Sequence, residues 1–260
     1  VIEIKEYFRP KSVEEAYDKL ISTEGAEIIG SGAFIRLSSR KINLAIDLQD
    51  AGINYVKKEG NEIKIGGATP LGDVERNEII KKAFDGKLLE VFQLIWSVQL
   101  RNTATIGGTI FPKLGFSDLI TVLLALNTDV VLYENGRMPL EVFLEEKIRK
   151  DVLTEIIIKD EDRKLSFQNM RNSFYDFSML NAAVSYDKKD DFRIAIGARP
   201  GVAKLAKKAM NYLKENKNIE EASKIAAEEF EYGSNIKCSK EYREAIAPIL
   251  VKRGLEEVLK

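Results

Sequence analysis

Arg101-Asn102-Thr103-Ala104-Thr105-Ile106-Gly107-Gly108-Thr109 is the stretch on which the reading of this 260-residue chain turns. It places the hydroxyls of Thr105 and Thr109 around a double glycine, and Asp118 follows nine residues after Thr109. Glycines, having no β-carbon, let successive main-chain N–H groups converge on an anion. Hydroxyls and bare backbone therefore suit a pyrophosphate, and a carboxylate can accept from ribose hydroxyls. Together these residues cover both needs of an adenine dinucleotide. They also describe a simple bend, with Asp118 complementing a helix N-terminus, and taken alone that is the commoner use of such a sequence.

A second glycine-rich turn, Gly30-Ser31-Gly32-Ala33-Phe34, follows an expected strand at 27–29 and precedes an expected helix. It offers the same phosphate cradle and the same alternative as a tight turn. It is not the Rossmann pattern Gly-x-Gly-x-x-Gly, because the sixth position is Ile35. Working outward, Ser12-Val13-Glu14-Glu15 reads as a capping box that opens an amphipathic helix. Strands are expected at 44–48, 55–58 and 62–65, the last two forming a hairpin around Glu59-Gly60-Asn61. Thr69-Pro70 reads as a helix start with Thr69 as cap, leading into helices at 71–79 and 80–96. Ser117-Asp118 caps an apolar helix, and 129–133 is a strand that turns at Glu134-Asn135-Gly136. The rhythm then changes. Strands at 152–158, 164–168, 181–186 and 192–198, joined by charged turns such as Lys188-Lys189-Asp190-Asp191, precede helices at 202–214, 219–230 and 239–259. Strands followed by helices indicate a second α+β domain that begins near residues 150–165.

Composition excludes several classes of function. With 40 basic and 41 acidic side chains the formal net charge is -1, so the basic field of a nucleic-acid binder is missing and no such partner is expected. There is no histidine, and Cys238 is the single cysteine. A Ser-His-Asp triad, a histidine metal site, a thiolate cluster and an internal disulfide are all beyond this chain. Cys238 is expected to be a small residue, buried or partly buried. No apolar run is long enough to span a membrane and no signal-peptide core opens the sequence, so a soluble cytoplasmic protein is expected. Richness in Lys, Glu and Ile, with few Gln, leans toward a thermophile. Hard chemistry is left to carboxylates, amines, hydroxyls or a borrowed organic cofactor.

Several segments, in chain order, resemble the FAD-binding (medium) subunit of molybdenum hydroxylases, the group of the carbon monoxide dehydrogenase medium subunit and the flavin domain of xanthine dehydrogenase. They are Gly30-Ser31-Gly32-Ala33-Phe34, Gly67-Ala68-Thr69-Pro70-Leu71, the Arg101 to Thr109 stretch and Ser117-Asp118-Leu119. Near the C-terminus, Cys238-Ser239-Lys240-Glu241-Tyr242-Arg243 and then Leu250-Val251-Lys252-Arg253 are similar to the family's closing helix. The resemblance covers nearly the whole chain, and 104–108 is its most specific piece. It implies an α+β fold: a two-part FAD-binding domain of the vanillyl-alcohol-oxidase (PCMH) type over 1–160, subdivided at 1–52 and 53–160, then a smaller α+β C-terminal domain over 161–260. It implies FAD as cofactor. Ile29, Gly30, Ser31, Gly32, Ala33 and Phe34 would wrap the pyrophosphate, and Thr105, Gly107, Gly108 and Thr109 would hold it from the other side. By the same resemblance Thr69 lies near the flavin, Asp118 takes ribose or adenine-side hydrogen bonds, and Leu153 packs at the adenine end. Ile95 and Trp96 fall beside the isoalloxazine ring; a core aromatic is the alternative for Trp96. No catalytic residue is implied, because the flavin carries the redox chemistry. The implied function is an electron relay. Electrons from a molybdopterin-binding large subunit would arrive through an iron-sulfur small subunit and leave to an external acceptor, within a heterotrimer or its dimer.

The chain also departs from the family's pattern. Gly30-Ser31-Gly32-Ala33 stands where Gly-Gly-Thr and a polar residue are usual, and Thr109 stands where asparagine usually follows the double glycine. Phe111-Pro112-Lys113-Leu114 replaces a loop of small residues, and Gln168 stands at a position commonly lysine. These departures leave open a scaffold subunit with weakened or lost FAD binding; a further alternative, independent of the resemblance, is a stand-alone nucleotide-binding or sugar-nucleotide enzyme of the same fold superfamily.

Overall fold

Three β-sheets organise the chain in the computed structural model, which describes residues 1–187 and 191–260. Strand β1 (Glu3–Phe8) leads into the helix Val13–Ser22, then β2 (Ala26–Ile28) and β3 (Lys41–Ile46). Both β1 and β2 run parallel to the central β3. The helix starts where the capping box places it: the Ser12 hydroxyl accepts from the Glu15 N–H at 3.1 Å, while the Glu15 carboxylate accepts from Lys11 N–H at 2.7 Å. Ala16 and Leu20 of the helix pack with Leu44 and Ile46 of β3 in one apolar cluster that also takes in Ile53, Ala68 and Val152.

A second sheet holds β4 (Val56–Glu59), β5 (Glu62–Gly66), β6 (Thr128–Leu132), β7 (Gly136–Pro139) and β8 (Leu153–Lys159), in the order β4-β5-β8-β6-β7. The expected hairpin is the antiparallel pair β4-β5, turning at Gly60 with φ +59°. The third sheet is antiparallel, in the order β12-β11-β10-β9, from β9 (Lys164–Met170), β10 (Leu180–Tyr186), β11 (Phe192–Gly197) and β12 (Lys204–Leu205). Helices Lys207–Glu215, Ile219–Glu228 and Lys240–Val258 contribute Ala209, Leu213, Ala222, Ala226, Leu250 and Leu255 to a core shared with Val184, Ile194 and Ile196.

By internal contact the chain forms two units that are not continuous in sequence. The first is 1–79, 95–112 and 129–158; the second is 80–94, 113–128 and 159–260. A division at residue 160 describes chain order, whereas two segments before that point belong by packing with the C-terminal residues. The helix Asp118–Ala125 shows why: it is buried along its whole length and lies on β10 and β11. A helix apolar all round must be covered on every side.

Several expected elements are corrected. The helix expected at 80–96 breaks: Glu78–Lys82 ends and Lys87–Leu94 begins around Phe84 and Asp85, which have φ of 53° and 54°. Asp85-Gly86 is a stop signal, and burial of the Phe84 ring offsets a left-handed backbone. Thr69 is not a helix cap; the helix Leu71–Arg76 starts after Pro70, and the Thr69 hydroxyl is used elsewhere. The expected helix after Phe34 is a pair of 3₁₀ turns, Gly30–Gly32 and Ile35–Leu37. The helix expected at 202–214 begins only at Lys207, because Lys204 and Leu205 pair with Ile196 and Ala195. Of the charged turn at 188–191, Lys188, Lys189 and Asp190 lie outside the described residues. Among the described residues no helix is long and apolar enough to cross a membrane.

Candidate functional site

In the first unit, residues 67–71 and 104–107 run side by side. Leu71 N–H donates to the Ala104 carbonyl at 2.8 Å, Ile106 N–H to Thr69 at 2.9 Å and Gly107 N–H to Gly67 at 2.9 Å. Only bare backbone fits here: a β-carbon on Gly107 would come 2.7 Å from the Gly67 carbonyl oxygen, and one on Gly67 only 1.9 Å from that of Leu153. On the other side, a β-carbon on Gly30 would stand 3.2 Å from both the Gly108 Cα and Thr105 Oγ1. The two glycine-rich turns, 78 residues apart from Gly30 to Gly108, are thus in contact, and Leu153 meets the same stack through Gly67. Of the expected site residues, Gly30, Thr105, Gly107, Gly108 and Leu153 are brought together in this way.

The second turn differs from the expected bend with free amides. It is a short helix, Ile106–Ile110, capped by Thr105, whose hydroxyl accepts from Gly108 N–H at 3.1 Å. Thr109 N–H and its hydroxyl both donate to the Thr105 carbonyl, at 3.0 and 2.9 Å. The amides of Ile106, Gly107 and Thr109 are therefore engaged by main-chain carbonyls, and that of Gly108 by a side chain. The expectation that these amides are open donors is corrected: the double glycine lets two backbones approach, and the Thr109 hydroxyl oxygen keeps its capacity to accept.

The first turn has open space over Gly32. Gly30 and Gly32 have φ of +44° and +75°, where other residues are strained, and a β-carbon on Gly32 would meet nothing within 4 Å. Ile29 N–H is tied to Ile46 O at 3.0 Å and Gly32 N–H to Ile29 O at 2.6 Å, so the end of β3 fixes the turn. The Ser31 backbone lies within it, Ala33 continues in right-handed geometry, and the Phe34 ring is exposed. The open space over Gly32 fits the diphosphate of a dinucleotide. Thr69 is buried; its hydroxyl accepts from Tyr55 N–H at 2.9 Å and donates to the Tyr55 carbonyl at 3.0 Å. Trp96 is 48% exposed and so is not the core aromatic of the alternative reading.

Asp118 belongs to the second unit. Its Oδ1 accepts from Ser178 Oγ at 2.6 Å and Asn181 Nδ2 at 2.7 Å, and its Oδ2 pairs with Arg171. Arg171 also donates to Asn169 Oδ1 at 2.8 Å and to the Asp176 carbonyl at 3.0 Å. Asp118 is thus the centre of a buried polar network, which is more than complementing a helix N-terminus. Gln168 donates to Glu257 Oε2 at 2.8 Å, and Ser166 Oγ donates to the same oxygen at 2.7 Å. Burial pushes the Glu257 carboxyl up, but hydrogen bonds from Ser166, Lys87 and Gln168 outweigh it and hold it below its ordinary 4.5. Arg243 of the Tyr-Arg ending is fully buried and donates to the carbonyls of Met179 (2.8 Å), Cys238 (3.0 Å) and Gly233, and to Asn235 Oδ1 (2.8 Å). Cys238 is half-buried, as expected.

Residues 2–160 match the family described as the FAD binding domain in molybdopterin dehydrogenase. The chain belongs to that family. Its cofactor is FAD. Residues 165–258 match the CO dehydrogenase flavoprotein C-terminal domain, so the expected fold class, a flavin domain followed by a smaller α+β domain, is the observed one. The chain is similar to an uncharacterized protein of Escherichia coli K12, YgfM, at 28% identity over 95% of this chain and 94% of that one. It is similar to the nicotine 6-hydroxylase medium subunit of Paenarthrobacter nicotinovorans at 24% identity over 96% of each chain. Among solved structures, a carbon monoxide dehydrogenase chain from Hydrogenophaga pseudoflava shares the fold with a TM-score of 0.89 at 24% identity, covering 100% of this chain and 98% of that one.

Proposed function

We propose that this chain is the medium, electron-transferring subunit of a molybdenum hydroxylase-type oxidoreductase. The observation that carries the reading is the open Gly30–Gly32 turn seated on Gly108 and Thr105, a surface shaped for a dinucleotide diphosphate. The names of relatives support it: the Paenarthrobacter protein is a medium subunit, and so is the glyceraldehyde dehydrogenase medium chain of Sulfolobus acidocaldarius, 24% identical over 97% of each chain. When bound, FAD supplies a redox centre that takes up and releases electrons. The chain's own part is to bind and orient. The Ile29 to Phe34 turn cradles the diphosphate, with no β-carbon at Gly30 or Gly32 in the way. Thr105, Gly107, Gly108 and Thr109 form the floor under that turn, with the Thr109 hydroxyl the group best able to reach the cofactor. Thr69 and Leu153 hold the floor from below. Residues 1–160 act as the flavin domain and 161–260 as the C-terminal domain. Electrons enter from an iron-sulfur small subunit served by a molybdopterin-binding large subunit, in a cytoplasmic heterotrimer, and leave to an external acceptor.

The occupied amides at 106, 107 and 109 favour a second reading, a scaffold subunit that docks its partners with weak or no FAD. Titration of the purified chain with FAD, followed by flavin fluorescence, separates the two. Micromolar or tighter binding, with a yellow protein bleached by reductant, supports the redox subunit. A colourless chain that takes up no FAD, yet co-purifies with molybdenum and iron-sulfur subunits, supports the scaffold.

A further inference from the structure

Arg101 is 8% exposed, within the short helix Val98–Thr103. Its Nε and Nη2 donate to the two carboxylate oxygens of Glu75, at 2.6 and 3.2 Å, and its Nη1 donates to the Ile95 carbonyl at 2.7 Å. A guanidinium withdrawn from water is costly unless its donors are answered, and the bidentate fork on a carboxylate answers them best. Without Glu75, Arg101 would be a buried charge lacking its complement.

The location of this pair gives it meaning. Glu75 lies on the helix Leu71–Arg76, whose first N–H binds the Ala104 carbonyl at 2.8 Å, directly after the helix that carries Arg101. One residue further, Thr105 caps the turn that lies against Gly30. Beside the ion pair, Asn102 Oδ1 accepts from Arg76 Nη1 at 3.0 Å, and a β-carbon on Gly72 would come within 2.2 Å of the same oxygen. The two short helices are therefore clamped at close range immediately before the floor of the glycine cradle. The third bond of Arg101 reaches the other end of its helix, where the Ile95 carbonyl anchors the segment bearing Trp96, the only tryptophan of the chain. One guanidinium ties the segment that enters this helix to Glu75.

We propose that Arg101, oriented by Glu75, is a positioning residue for the flavin site: it sets the Thr105–Gly108 floor against the Gly30–Gly32 turn and fixes the Trp96 segment, without touching the cofactor. The proposal rests on placing the FAD diphosphate at that turn. The test uses the full chain freed of flavin, with variants Arg101→Met, Arg101→Lys and Glu75→Gln. FAD affinity is read from flavin fluorescence and from quenching of Trp96 emission. Trp96 anisotropy and the thermal midpoint of the flavin-free protein are measured alongside, with every titration well below that midpoint. Displacements of this kind are expected to weaken FAD binding about tenfold or more in Arg101→Met. Trp96 anisotropy should fall, and Arg101→Lys, which keeps the charge and loses the fork, should lie between it and the parent. Should Arg101→Met not fold, Arg101→Lys and Glu75→Gln decide. Wild-type FAD affinity and anisotropy in both, with only a lower thermal midpoint, would overturn the proposal and leave the pair a structural clamp. If the parent chain itself binds no FAD, the placement of the cofactor fails first and the positioning role with it.

Discussion

At the scale of single residues, the glycines divide into two kinds. Gly67 and Gly107 are small because another backbone touches them, whereas Gly32 faces open space with a left-handed φ of +75°. Gly67→Ala is expected to destabilise the flavin-free protein by about 3 kcal/mol, since the clash is with the Leu153 carbonyl and not with a flexible side chain. Gly32→Ala should cost only about 1 kcal/mol in urea unfolding, the strain of the positive φ. Its FAD affinity should drop by a larger factor, and an unchanged affinity would remove this turn from the site. Asp118 is a different case. It is buried and the Arg171 side chain is only 8% exposed, so Asp118→Asn leaves an arginine without its counter-charge, and a loss of about 3 kcal/mol is expected in the flavin-free protein. An Asp118 that served only a ribose would leave that stability unchanged. The types of residue at the site were legible in the sequence; their hydrogen-bond partners were not. Asp118 and Arg171 are 53 positions apart, and Arg101 and Glu75 are 26 apart, with no motif linking either pair.

At the scale of elements, caps and turns were the most readable signals because their physics is local. Ser12, Ser117 and Ser239 each accept from an N–H three residues on, as the helix starts require. The β4-β5 hairpin follows from the Glu59-Gly60-Asn61 turn. Elements whose form depends on distant partners were misread. Lys204 and Leu205 look helical in sequence but join a sheet edge, and the run after Ile80 breaks where the Phe84 ring is drawn into the second unit's core. Asp85, with φ 54°, pays no such burial reward, so Asp85→Gly is expected to raise stability by about 0.5–1 kcal/mol, measured as a higher thermal midpoint.

At the scale of the whole molecule, each unit closes around its own polar anchor: Arg101 with Glu75 in the first, Asp118 with Arg171 and Glu257 with Ser166, Gln168 and Lys87 in the second. The last gives a pH dependence. The folded Glu257 carboxyl titrates below its ordinary 4.5, so the unfolded chain binds this proton more readily. Its contribution is fully present above that value and is lost as acidification passes through the lowered one. Stability measured by urea unfolding should therefore fall on the acid side of about pH 4.5, and Glu257→Gln should flatten that limb. The periodic strands, the serine caps and the two glycine-rich turns that carry the family likeness are legible in the sequence because each is written in neighbouring residues, and composition alone leaves no histidine and a single cysteine. Long-range folding settles that the second turn gives the amides of Ile106 and Gly107 to the carbonyls of Thr69 and Gly67, that Gly30 and Gly108 meet, and that Asp118 is held by Arg171. Those outcomes depend on which distant carbonyl, glycine or cation folding brings within about 3 Å, the range over which a hydrogen bond or a steric limit acts.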